Sequence, residues 1–187
     1  EAAPLAPEGG QGGEPIQSFS AGFDKARIGK LVREDPEFRD VVVALHKVEE
    51  LQKSGTLEKR HLYEKVRGEL LKSGHISADE AGRRAQAAVN EVDDYELNAE
   101  GAFLRLVWSP RDNQYCRVMV IPAGGLRSFY YNGRKYELPV RKMLLLQYHD
   151  SPTEGGHASA EDTALKLQRV VWWPHLKREV MRWVATC

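Results

Sequence analysis

The chain has 187 residues, 27 of them basic and 27 acidic, for a formal net charge of zero. That balance excludes recognition of nucleic acid, a membrane surface or an acidic substrate through bulk charge, so any such contact must come from a local patch. Two cysteines, Cys116 and Cys187, are too few for a disulfide framework and fit a reducing, intracellular compartment.

Residues 1–22, opening "EAAPLAPEGGQGGEP", lack the basic and apolar regions of a signal peptide. They offer too little apolar surface to offset the entropy of ordering and are predicted to be a flexible, disordered tail. The chain opens on Glu1 rather than Met and reads as a piece of something longer. Its longest apolar runs, such as "VVVAL" and "MLLL", are far too short to span a bilayer.

Residues 23–97 read as a helical linker region with three helices. In the first, Asp35 is the expected cap and Pro36 the first helical residue, with Phe38, Val41, Val42, Leu45 and Val48 at helical spacing. The second has its expected cap at Thr56 and sets Leu62, Val66 and Leu70 on one face. The third opens on a capping box from Ser77 to Glu80 and carries an Ala81, Ala85, Ala88, Val89, Val92 stripe.

From about residue 98 to 138 the period changes to two. "AFLRLVW" and "QYCRVMVI" flank a turn sequence, "SPRDN", and Asn132-Gly133 separates two aromatic-rich runs, a strong hairpin signal. About four short antiparallel strands are expected, packed on the helices, with Cys116 as a small buried hydrophobe. The fold class is therefore α+β: tail, helical segment, small sheet, and a C-terminal helical module at 139–187.

That module reads as three helices: "VRKMLLLQYH"; "SAEDTALKLQRVVWW", with a capping box from Ser159 to Asp162 and a stripe of Thr163, Leu167 and Val170 or Val171; and a last helix with Pro174 at its first position. Leu176, Val180, Trp183 and Cys187 fall on one face of the last helix. His149 stands at a helix end, His157 in the following loop and Cys187 at the end of the third helix, so one fold can bring all three to a point. Imidazole nitrogen and thiolate sulfur are the donors of structural zinc, which takes four. Cysteines in such sites commonly come as C-x-x-C, so the fourth ligand is expected beyond Cys187. His175 stands twelve residues before Cys187, roughly 18 Å along a helix, and is a poor substitute. Against zinc stands the general rule that a histidine near a helix end is more often a cap or a surface residue, and the seven-residue gap between His149 and His157 is wider than usual. A metal-free helical domain is the corresponding alternative.

The same stretch resembles the zinc-binding (HHCC) N-terminal domain of retroviral and gypsy-type LTR retrotransposon integrases. "YHDSP" at 148–152, "GH" at 156–157, Thr163, Leu167, "WP" at 173–174, Leu176, Val180 and Cys187 carry the likeness, and from Gly156 to Cys187 the register has no gap. "LVREDPEFRDVVVAL", "LNAEGAFLRLV" and "VMVIPAGGLRSFYY" are similar to the linker and strands upstream of that domain, while 55–92 is longer than the family has there. Ser159, Asp162 and Val171 depart from the pattern, and Asp162 puts an anion where the family carries a cation.

The resemblance implies that His149, His157 and Cys187 are the first three zinc ligands. It implies a zinc ion with a structural role, and a fragment of a polyprotein that is not itself an enzyme, since the family's acidic catalytic triad belongs to a separate, later domain. It further implies self-association, binding to the DNA ends of the element, nuclear localisation, and neither a membrane nor a small-molecule partner. Lys166, Arg169, Lys177, Arg178 and Arg182 are either phosphate contacts or a solvated face; Asp150, Asp162 and Glu179 read as solvated charges, and Trp172, Trp173 and Trp183 as core. The alternative function is a domesticated protein-interaction module that keeps the fold without transposition.

Overall fold

A computed structural model describes residues 24–109, 112–131, 134–150 and 157–187. The expected tail, the turn residues Pro110-Arg111 and Asn132-Gly133, and most of the "DSPTEGG" loop lie outside the described residues. The described part is α+β, with no helix long and apolar enough to cross a membrane.

The first helix, α1 (Lys25–Glu34), precedes the three expected ones and buries Ile28, Gly29 and Val32. The Asp24 carboxylate caps it, accepting from the Arg27 N–H at 3.1 Å. Gly29 explains its seat. A Cβ there would stand 1.9 Å from the carbonyl oxygen of Gly101, so helix and loop backbones meet where only glycine fits.

The helix α2 (Arg39–Ser54) begins later than expected, because Asp35 is otherwise engaged. Its buried carboxylate accepts N–H groups from Glu37 at 2.9 Å, Ala123 at 2.8 Å and Gly124 at 3.1 Å. It locks the turn at 36–38 onto the segment after the sheet and cannot also cap the helix. Gly55, at φ 70°, ends α2 in the left-handed conformation. Thr56 likewise does not cap α3 (Lys59–Lys72): its hydroxyl pairs with that of Ser54 at 2.7 Å, and the helix starts after Glu58. In α4 (Ala78–Glu91) the expected cap forms, Ser77 accepting from the Glu80 N–H at 3.2 Å.

The expected stripes are the buried ones. Leu62, Val66 and Leu70 of α3 meet Ala81, Ala85 and Val89 of α4 and Leu51 of α2 in a hydrophobic cluster of their own. Arg84 clamps α4 to α2 with two hydrogen bonds to the Asp40 carboxylate, at 2.7 and 2.6 Å.

A 3₁₀ turn leads into β1 (Tyr95–Leu97), which pairs antiparallel with β2 (Phe103–Ser109), as β2 does with β3 (Gln114–Val120), with Leu104 opposite Met119. A separate ribbon joins β4 (Leu126–Tyr131) to β5 (Arg134–Pro139), with Phe129 opposite Tyr136. The two expected hairpins are present, but they do not join into one sheet. The free edge of β3 goes instead to β6 (Val171–Trp172), a parallel two-residue strand that completes the order β1-β2-β3-β6. Met119 and Ile121 donate their N–H groups to the carbonyls of Val170 at 3.2 Å and Trp172 at 3.0 Å. Cys116, expected to be buried, is half-buried. Tyr95 and Trp172 cover one side of the sheet, with the Arg105 guanidinium 3.9 Å from the Trp172 ring and donating to the Tyr95 hydroxyl at 2.9 Å. Burial holds that phenol above its ordinary pKa despite the neighbouring cation.

Candidate metal centre

Three helices follow the ribbon: α5 (Val140–Asp150), α6 (Ala160–Gln168) and α7 (Leu176–Ala185). Their buried residues, Leu144, Leu145, Leu167 and Val180 among them, belong to one cluster with Ile28, Phe103 and Met119, so this corner and the sheet share a core. The buried Arg141 guanidinium donates to the Ile121 carbonyl, from Nε at 3.2 Å and Nη2 at 2.9 Å, and pairs with Glu37. That fixes the start of α5 against the sheet.

Ser159 caps α6 as expected, accepting from the Asp162 N–H at 3.0 Å. Its hydroxyl also donates to the Asp162 carboxylate at 2.7 Å, so the anion that departs from the family pattern serves the cap. The helix ends at Gln168 rather than running on to Trp173, because Val171 and Trp172 are drawn into the sheet. Pro174 is not the first residue of α7. Pro174 and His175 form a turn, His175 is left-handed at φ 63°, and α7 begins at Leu176. Trp173 is fully buried, and its ring N–H donates to the Glu179 carboxylate at 2.8 Å, so Glu179 is a partner of the core and not a free surface charge. Trp172 and Trp183 are half-buried against the same core. Arg169, Lys177, Arg178 and Arg182 are exposed, and Lys177 stands 3.6 Å from Glu161.

The three candidate ligands arrive from separate places. His149 is buried near the end of α5, with Nδ1 3.5 Å from the Thr163 hydroxyl of α6 and Nε2 3.6 Å from the Asp150 carboxylate. His157, at φ 62°, lies just before α6. Its N–H donates to the His149 carbonyl at 2.8 Å, and the Ala158 N–H donates to the same oxygen at 3.3 Å. One main-chain carbonyl at the end of α5 thus positions both histidines. Their rings stand edge to face, with centroids 5.6 Å apart. Cys187 lies just past the end of α7, held by its N–H to the Val184 carbonyl at 3.2 Å, and its Sγ is 3.9 Å from His157 Nδ1.

A fourth group joins them. Asp150, the last residue of α5, reads as a solvated charge on sequence grounds, yet its side chain is only 22% exposed. One donor atom each from His149, Asp150, His157 and Cys187 lies within 4.8 Å of all the others. Tetrahedral zinc, with bonds of about 2.0–2.3 Å, sets its donor atoms roughly 3.3–3.8 Å apart, so the corner is within about an ångström of that spacing. Imidazole, thiol and carboxylate are all accepted zinc donors, and the residues fit the ion. The signal for Asp150 is its place beside His149, but adjacency in sequence does not say that an aspartate at a helix end turns toward the histidines.

The chain matches no curated protein and no solved structure. Residues 138–187 match the family model of the integrase zinc binding domain. With its histidines and cysteine gathered at one corner of that segment, the C-terminal part of the chain is similar to an integrase zinc-binding domain.

Proposed function

We propose that His149, His157 and Cys187 hold a structural zinc ion in the module at 139–187, and that this non-catalytic module serves a retrotransposon integrase. In this reading the chain is a fragment of a longer polyprotein, the catalytic centre is a separate domain, and the module works in the nucleus. There it helps copies of the protein assemble and holds the DNA ends of the element during integration. The observation that supports it best is the convergence of three donors from the end of α5, the start of α6 and the end of α7 within 4.8 Å. The ion would join the three helix ends and add folding energy that a small core does not supply alone. By the family pattern a cysteine after Cys187 is the expected fourth ligand. Exposed Arg169, Arg178 and Arg182 are the side chains available to phosphate.

Elemental analysis of the purified chain should return one zinc per chain, and a chelator should lower the melting temperature. A titration with duplexes carrying the element's ends, repeated across salt, should show affinity that falls as salt rises. Zinc-free protein with unchanged melting in chelator would overturn the metal assignment. Absence of DNA binding, with a monomeric mass by size exclusion, would favour the protein-interaction alternative. The separate hydrophobic cluster of α2–α4 supports that alternative, since it gives the chain a unit whose packing does not draw on the metal corner.

A further inference from the structure

The sheet has an open margin along β3, and we infer that it seats a second copy of this chain, β3 pairing antiparallel with its counterpart. Met119 lies opposite Leu104 of β2 yet donates its N–H to the Val170 carbonyl, so its main-chain groups face away from β2. Main-chain direction alternates along a strand, and the register from Leu104–Met119 to Ser109–Gln114 runs without a bulge. Tyr115 and Arg117 therefore face outward as Met119 does. Strand β6 pairs only with Met119 and Val120, and no other described strand adjoins this side of β3. The stretch from Gln114 to Arg117 has no proline, lysine or bulge to guard its edge. Beside it two large aromatics stand in solvent, Trp108 49% exposed and Tyr115 64% exposed, edge to face at 5.2 Å.

A two-fold pairing must set outward-facing residues opposite one another, which leaves three axes to consider. An axis through Arg117 would oppose two guanidinium groups and bring Tyr115 against Met119, already held by β6. An axis through Tyr115 would pair Arg117 with Asn113, whose φ of 50° takes it out of the extended conformation. The axis through Cys116 has neither fault. It sets each Arg117 opposite the other copy's Tyr115, a cation beside an exposed ring, with main-chain hydrogen bonds exchanged in each pair. Arg117 also meets Glu96 at 2.7 Å, so its charge is matched at the seam. The two Cys116 residues then form a narrow pair, with Cα atoms about 4.5 Å apart, within the range of about 4.4–6.8 Å that a disulfide spans. This contact lies outside the zinc-domain match at 138–187 and does not draw on the metal corner.

The test uses the full chain. Sedimentation equilibrium across protein concentration should show monomer passing to dimer. Diamide, which takes two electrons and two protons from a pair of thiols, should then trap that dimer as a disulfide. Cys116→Ser should abolish the link while leaving the sedimenting dimer in place, and it identifies any link made by Cys187 instead. Arg117→Pro removes an outward N–H that β2 does not use, and Tyr115→Ala trims an exposed ring. Each should weaken the dimer by about tenfold or more, with circular dichroism confirming the fold, and Tyr115→Ala alone decides the matter if the proline variant misfolds. A chain that stays monomeric at every concentration would overturn the inference. So would a dimer that forms no Cys116 link and keeps its affinity in the variants; if chelator dissolved that dimer, the contact would belong to the metal corner and the zinc reading would stand. A zinc-free chain that still dimerises through Cys116 would refute the zinc reading and support this one.

Discussion

Two helical regions of this chain are held by different means. Between α2, α3 and α4 the buried side chains are alanine, valine and leucine. The four buried polar side chains among the described residues, Asp35, Arg141, His149 and Thr163, all lie elsewhere, at the seam with the sheet or in the C-terminal corner. The bundle needs a stripe repeated along each helix, which tolerates small shifts. The corner needs particular atoms from distant parts of the chain at particular distances. One region follows from pattern and the other from placement.

Four perturbations should pull the regions apart. The largest effect is expected from zinc. At a thousandfold excess of free metal over its Kd, removal costs the native state about 4 kcal/mol. Hydrogen exchange should report the loss first at 140–150 and 157–187, with the amides of α3 and α4 still protected. Faster exchange in the bundle at the same moment would mean the two regions are one cooperative unit. Leu70→Ala is the mirror experiment. Leu70 is buried in the bundle, and its truncation should cost about 3 kcal/mol in urea unfolding while leaving the zinc affinity of the folded chain unchanged.

Arg141→Met tests the seam. It strips the Ile121 carbonyl of its donors and Glu37 of its partner, a loss of about 2 kcal/mol by the same unfolding measurement. The smallest effects come from two matched caps. Ser77→Ala and Ser159→Ala should each cost about 1 kcal/mol. Only the second, two residues from His157, should also weaken zinc in chelator competition, and equal zinc affinities would show that the α6 cap does not position the histidine.

The same contrast decides how much of the molecule is legible in its amino-acid sequence. Period and caps locate the bundle, with Ser77 capping where the capping box places it and Leu62, Val66 and Leu70 buried together. The ungapped pattern from Gly156 to Cys187 likewise locates the segment that matches the integrase zinc binding domain. What escapes is tertiary. The helix α1 is short, and its seat depends on Gly29 meeting Gly101, a contact between residues far apart in the chain. Asp35 has the look of a cap because local sequence cannot show that Ala123 and Gly124 compete for its carboxylate. Val171 and Trp172 continue a helical-looking run, and only the open edge of β3 makes them a strand. Asp150 resembles any charge at a helix end until the fold turns it toward three donors.

The shortest strand carries a further consequence. Its two residues pair with Met119 and Val120 at the end of β3, and they lie between α6 and α7, whose far ends meet at the metal corner. If the corner loosened, β6 would peel away and leave the amides of Met119 and Ile121 pointing at solvent, ready to template a strand from another molecule. Depleting the ion should therefore seed aggregates, even with the bundle still folded.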